Sequence, residues 1–250
     1  MRIQGRKILI TGAASGIGLA TARRFAAEGA RVALLDRDAA GLAAATRELG
    51  NVALAVRADV TDESGVRAGV EHAARALQGL DGLVNAAGIS PFCSFADMTL
   101  DEWRRVLSIN LDGPFIVCLA ALPALKAAGK ATIVNIASGA GLQPRRDRSA
   151  YCASKGGLVL FTKSIAMDLA ADGIRVNAVC PGIVRTPLVE RNLDLHADRE
   201  AAVERYVSRN LMRRFGSAEE IAAAVLFLSC EESSFITGSA LSIDGGSVFH

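Results

Sequence analysis

Tyr151 and Lys155, four apart in the run S-A-Y-C-A-S-K-G-G, are the residues whose types and spacing speak most directly of chemistry. A tyrosine hydroxyl, with an ordinary pKa of about 10, is a poor base at neutral pH. Residues four apart share one face of a helix, so a lysine ammonium placed there favours phenolate and lowers that pKa. Such a pair can exchange a proton with a substrate oxygen. The same spacing also occurs in surface helix pairs, so the remaining motifs have to decide.

A second constellation is T-G-A-A-S-G-I-G, from Thr11 to Gly18. Glycines directly after a strand let the backbone approach a pyrophosphate, and the helix that follows points its free N–H groups at it. The plain alternative is a tight strand-to-helix turn that needs glycine for its conformational freedom. Asp36 closes the next apolar run, where a carboxylate accepts hydrogen bonds from an adenosine ribose and repels a 2′-phosphate. Arg37 follows and would bind such a phosphate, so the reading favours NAD over NADP without excluding the second.

The elements that must position these residues alternate along the chain. Lys7–Thr11, Arg31–Asp36, Asn51–Asp59, Gly82–Asn85, Ala131–Ile136, Arg175–Val179 and Ser239–Ile243 read as strands. Between them, helical periodicity covers Gly16–Glu28, Ala39–Leu49, Asp62–Leu77, Thr99–Ala128 with a Gly-Pro interruption, Tyr151–Ala170 and Ala218–Leu228. Strand, helix, strand, repeated, predicts an α/β fold: one doubly wound Rossmann-like domain over residues 1–250 with a seven-stranded parallel sheet. The long connection from Pro181 to Ser217 is read as carrying a substrate lid at about 187–216.

Composition narrows the partners. The net charge of +2 is spread along the chain, with no basic tail or stripe for nucleic acid. The five cysteines are odd in number and widely spaced, which argues against a disulfide framework or a zinc site. The N-terminus runs straight into a strand pattern without a signal region. The longest apolar stretch, Pro114 to Leu125, is shorter than the roughly 20 residues a bilayer crossing needs. The expectation is a cytoplasmic protein with a small-molecule partner, no membrane and no metal.

The spacing T-G-x-x-x-G-x-G together with Y-x-x-x-K resembles the short-chain dehydrogenases/reductases, and the resemblance runs over essentially the whole chain. L-V-N-A-A-G at Leu83–Gly88, D-V at Asp59 and Val60, I-N at Asn110, N-I-A-S ending in Ser138, P-G-I-V-R-T at Pro181–Thr186 and the terminal I-T-G-x-x-L-x-I-D-G-G resemble further landmarks of that family. Ala86 stands where the family usually has a second Asn, and Ser217 where it commonly has Pro. The resemblance implies hydride exchange between a nicotinamide and a secondary alcohol or ketone. In it Tyr151 moves the proton, Ser138 binds the substrate oxygen, and Lys155 favours phenolate and holds the nicotinamide ribose. Asn110 would open the helix for a proton-relay water; its other reading is a helix-break or capping Asn. Cofactor contacts are implied for Gly12, Ser15, Gly16, Ile17 and Gly18 at the first turn, and for Asp36, Arg37, Asp59 and Val60 around the adenosine. Asn85, Gly88, Tyr151, Lys155, Pro181, Gly182, Ile183, Val184 and Thr186 are implied around the nicotinamide. The family's habit of pairing apolar helices implies a homotetramer through Leu111–Ala128 and Tyr151–Ala170.

The run Q-P-R-R-D-R-S-A before Tyr151 and the lid carry arginines, whose planar forks suit a carboxylate. This is similar to the family's type 2 hydroxybutyrate and keto-deoxy sugar acid dehydrogenases. That likeness implies Arg148, three residues before Tyr151, with Arg209 and Arg191 as acid-binding residues. The alternative is that they are solvated loop charges. Reduction of 3-oxoacyl thioesters and oxidation of sugars are the competing activities within the family, and a non-catalytic cofactor-binding regulator is the reading from outside it.

Overall fold

The computed structural model describes residues 1–248. Seven strands form one parallel sheet: β1 (Lys7–Thr11), β2 (Arg31–Asp36), β3 (Ala53–Arg57), β4 (Gly82–Asn85), β5 (Ala131–Ile136), β6 (Ile174–Pro181) and β7 (Ala240–Ile243). Their order in space is β3-β2-β1-β4-β5-β6-β7. The order in which strands are added to the sheet reverses between β1 and β4, which opens a crevice at the carboxyl ends of these two parallel neighbours. The expected strand Asn51–Asp59 is shorter than read, because Gly50–Val52 form a 3-10 turn first.

Both faces of the sheet are covered, and the alternation of side chains along each strand shows how. Ile8, Ile10, Val32 and Leu34 pack with Phe25 of α1 (Gly16–Ala27), Leu42 of α2 (Ala39–Leu49) and Val225 of α9 (Ala218–Ser229). Leu9, Ala33, Leu35 and Leu83 pack on the other side. Their partners are Val66 and Val70 of α3 (Glu63–Leu77), Val117 and Leu125 of α5 (Gly113–Ala127), and Ala166 of α6 (Ser149–Leu169). Each such fully buried Val, Leu, Ile or Phe side chain contributes roughly 1.5–3 kcal/mol.

Three departures from the sequence reading matter for the site. The long helix does break, but at a π turn over Ser108–Asp112, between α4 (Leu100–Leu107) and α5, and not at Gly113-Pro114. The π turn keeps Leu100–Ala127 continuous, and by length and composition this run is apolar enough to cross a membrane. Here its Val117, Ala121 and Leu125 are buried against the sheet, while Phe115 and Leu119 are exposed. The lid is not one loop; it holds α7 (Pro187–Leu193) and α8 (Arg199–Val207). Finally, Ser217 in place of proline builds a capping box: its hydroxyl accepts from Glu220 N at 3.1 Å and its own N–H donates to Glu220 Oε2 at 2.8 Å.

Candidate active site

The cofactor end of the crevice is made chiefly of backbone. Gly12 sits at φ +64°, and a Cβ there would lie 2.7 Å from Ala87 N; a Cβ on Gly18 would lie 2.2 Å from Gly12 O. The two glycines let β1, the β4 turn and the start of α1 close on one another. Ser15, the residue before α1, makes no side-chain cap, which leaves the first-turn N–H groups to the crevice. Thr11 Oγ accepts from Ala86 N at 3.1 Å and Ala87 N at 3.2 Å, fixing the β4 turn through its backbone, where Ala86 lacks the usual amide side chain. Asp36 is oriented by Ala14 N on one oxygen (3.1 Å) and Asp38 N on the other (3.0 Å). Arg37 pairs with Asp59 at 3.5 Å, and the Asp59 carboxyl is held below its ordinary range first by the Thr61 N–H and then, against burial, by the Thr61 hydroxyl and Arg37.

Gly12, Ser15, Gly16, Ile17, Gly18, Asp36, Arg37, Asp59, Val60, Gly88 and Thr186 all line this cavity. A glycine cradle, an open helix N-terminus and a rim carboxylate suit a dinucleotide. Asn85 does not join them. Its side chain turns into the core, where Nδ2 donates to Asn135 Oδ1 at 2.9 Å and contacts Cys118 Sγ at 3.3 Å, because successive strand residues face opposite sides.

An adjoining cavity shares Ile17, Gly88 and Thr186 with the first and is lined by Ser138, Tyr151, Lys155, Pro181, Gly182, Ile183 and Val184. Because α6 begins at Ser149, Tyr151 and Lys155 lie one turn apart on its inward face. Lys155 is 5% exposed and donates to Ile136 O at 2.8 Å. Burial pushes its ammonium down to about 8. Its Nζ stands 6.0 Å from the Tyr151 ring centre.

The expected lowering of the phenol pKa by Lys155 is corrected by this geometry. Burial raises Tyr151 above its ordinary value, and the groups that pull it back are the Ser138 hydroxyl, the Arg148 charge and the Ser90 hydroxyl. Lys155 spends its hydrogen bond on a carbonyl instead. Asn110 is fully buried in the π turn: Nδ2 donates to Ile89 O (2.9 Å) and Ser154 Oγ (3.2 Å), and Oδ1 accepts from Ile89 N (2.9 Å). A Cβ on Gly88 would touch both Asn110 Oδ1 and Lys155 Nζ, so all three meet at one point.

The outer wall of this second cavity is cationic. Arg148 Nη1 donates to Ser90 O at 2.7 Å and also to the Ser90 hydroxyl, and its guanidinium lies 3.4 Å from the Phe92 ring centre. Arg145, Arg146 and Arg209 line the same space. Arg191 does not; it faces the cofactor end, beside Asp36 and Arg37, because α7 turns its side chain across that rim. Ser90, Phe92 and Tyr206 were not legible as site residues. No spacing marks Ser90 or Phe92, and the one signal for Tyr206 is that it is the second of the chain's two tyrosines.

The family model described as enoyl-(acyl carrier protein) reductase matches residues 12–248. The chain belongs to the short-chain dehydrogenase/reductase family, and it is an oxidoreductase acting on CH–OH groups with a nicotinamide cofactor. It is 40% identical to 2-(S)-hydroxypropyl-CoM dehydrogenase 3 of Xanthobacter autotrophicus, covering 98% of this chain and 97% of that one. It is 42% identical to cis-4-hydroxycyclohexanecarboxylate dehydrogenase of Sinomonas cyclohexanicum, over 96% of each. Among solved structures, ligand-free aldohexose dehydrogenase of Thermoplasma acidophilum superposes with a TM-score of 0.91 at 34% identity, covering 99% of this chain and 96% of that one.

Proposed function

We propose that the protein is an NAD-linked dehydrogenase of a small hydroxy acid, the hydroxyl carbon being oxidised at Tyr151 and the acid group held at the arginine wall. One observation carries this reading: Arg145, Arg146, Arg148, Arg209 and Lys155 line the substrate cavity, and among the described residues no Asp or Glu does. The hydrogen-bond partners found for Arg148 and Arg145 are neutral groups, of Ser90 in the first case and of Gln143 and Ser247 in the second. An unbalanced cationic wall favours an anionic ligand. The similarity to a dehydrogenase named for a hydroxycarboxylate supports the same class.

The residues then divide the work. Gly12, Ser15, Gly16, Ile17 and Gly18 would hold the pyrophosphate, Asp36 the adenosine ribose, Asp59 and Val60 the adenine, and Pro181 to Thr186 the nicotinamide end. When bound, the nicotinamide supplies the hydride acceptor. Ser138 holds the substrate oxygen and Tyr151 takes its proton. Ser138, Arg148 and Ser90 stabilise the phenolate against burial, and Lys155, anchored on Ile136 O, adds positive charge at neutral pH. Asp36 at the rim, with Arg37 engaged by Asp59, supports NAD over NADP. The exposed Phe115, Leu119, Leu160 and Met167 on α5 and α6 support a homotetramer, and five unpaired cysteines support a reducing, cytoplasmic setting.

The test is a panel of hydroxy acids, sugars, acyl thioesters and neutral alcohols with NAD and NADP, followed by Arg148→Met. On the best acid, kcat/KM should fall about ten- to a hundredfold further than on a neutral alcohol of matching shape. Equal losses would give Arg148 a role confined to Tyr151, and higher wild-type activity on sugars or thioesters than on any acid would overturn the reading.

A further inference from the structure

Tyr206 lies on α8 in the lid, 3% exposed, and lines the same cavity as Tyr151. Its hydroxyl has no hydrogen-bond partner among the described residues. It stands beside the Arg148 guanidinium, close enough to favour that charge, yet completes no bond of good geometry with it. A guanidinium has no acceptor, so even a closer approach would leave the phenol proton without a destination. Buried hydroxyls are ordinarily satisfied, and an exception calls for a group that completes it.

The ring is held so that the hydroxyl cannot turn away. It stacks on Phe92, with centres 6.4 Å apart and planes at 11°, and meets the edge of His196 at 6.2 Å. Leu193 and Ala202 close the cluster. Phe92 is also the platform under the Arg148 guanidinium, so one ring sets the phenol and the cation side by side. The Arg209 guanidinium lies 5.7 Å from the Tyr206 ring centre.

We infer that Tyr206 is a specificity-determining residue whose hydroxyl donates a hydrogen bond to the acid group of the substrate, alongside Arg148. The inference rests on the acid reading above. A carboxylate is an acceptor with lone pairs enough for both neighbours, and it meets the need of the phenol proton that the protein leaves open. A neutral alcohol of the same shape has no oxygen to offer there.

The experiment is Tyr206→Phe, which keeps the ring and its stacking and removes only the hydroxyl. The substrates are 3-hydroxybutyrate with 2-butanol and cis-4-hydroxycyclohexanecarboxylate with cyclohexanol, each acid with its neutral counterpart, and the pair with the higher kcat/KM on its acid is used. The loss of kcat/KM on the acid should exceed the loss on the alcohol by about tenfold and should fall in KM, as for a hydrogen bond to a charged group. The ligand-free variant should unfold at the same or a higher temperature than the wild type, because no internal bond is lost. Equal losses on acid and alcohol, or a lowered unfolding temperature without ligand, would make Tyr206 a structural residue and overturn the inference. If Arg148→Met is acid-selective and Tyr206→Phe is not, the inference falls while the acid reading stands. If neither is selective, both fall.

Discussion

The two ends of the crevice share Gly88 and Thr186 but are built by opposite means. At the cofactor end the wall is mostly backbone: glycines that admit no Cβ, an uncapped helix start, and two carboxylates, Asp36 and Asp59, on the rim. At the substrate end the wall is mostly side chain: arginines laid on aromatic rings, with no carboxylate among the described lining residues. The first end must bring main-chain N–H groups close to a phosphate, a demand that neighbouring residues can meet by themselves. The second must present a charge pattern, and it draws on Ser90, Arg148, Tyr206 and Arg209 from three separate stretches of chain. The glycine cradle is therefore local in sequence, and the cationic wall is assembled across it.

Tyr151→Phe separates the two ends most sharply. It should lower kcat by about 10²–10⁴ on the best substrate, the usual worth of a general acid–base group, while the cofactor dissociation constant measured by fluorescence titration stays near the wild-type value. A variant retaining more than about a hundredth of the activity would move the proton transfer to another group.

Lys155 probes the seam between the ends. Burial places its pKa at about 8, below the unfolded value near 10.5. Between those values the unfolded chain holds more protons, so stability rises with pH across that window, and below it the buried charge costs roughly 3 kcal/mol. Ligand-free Lys155→Met should therefore unfold at a higher temperature than the wild type near pH 7 and lose that advantage above about pH 10. A difference that does not vary with pH would show that Lys155 keeps its ordinary pKa in the folded protein.

Gly18→Ala carries the smallest expected effect and addresses the cofactor end alone. The new Cβ would have to displace Gly12 O, at an overpacking cost of roughly 1–3 kcal/mol. Weaker cofactor binding with an unchanged preference between acid and neutral substrates is the expected result. A changed substrate preference would mean that the two ends are not independent.

How much was legible follows the same division. The glycine turn, Asp36, Ser138, Tyr151 and Lys155 could be read because each stands at a fixed distance from a strand end or on one helical turn, and the sheet edge then gathers those ends. Asn85 could not be placed by its motif, since a one-residue step along a strand reverses the face. Arg191 could not be assigned by distance along the chain, because the direction of α7 decides which cavity its side chain meets. The helix break lies before Gly113-Pro114 rather than at it because that pair is tolerated at the start of α5, where an N–H has no helical partner to lose.

By itself, the sequence determined the alternation of strand and helix, the parallel sheet, and the placing of Tyr151 and Lys155 on one helical turn and of the glycines at the first strand-to-helix turn, since periodicity and short spacings act through the local geometry of the chain. Tertiary structure alone decided that the Arg148 guanidinium stands as near the Tyr151 ring as Lys155 does, at 5.6 Å against 6.0 Å, that Arg191 lines the rim beside Asp36, and that Tyr206 meets Arg148 across Phe92. Those outcomes depend on which side chains distant in sequence share a buried space, where low dielectric sets the pKa values and unsatisfied groups define what a ligand must supply.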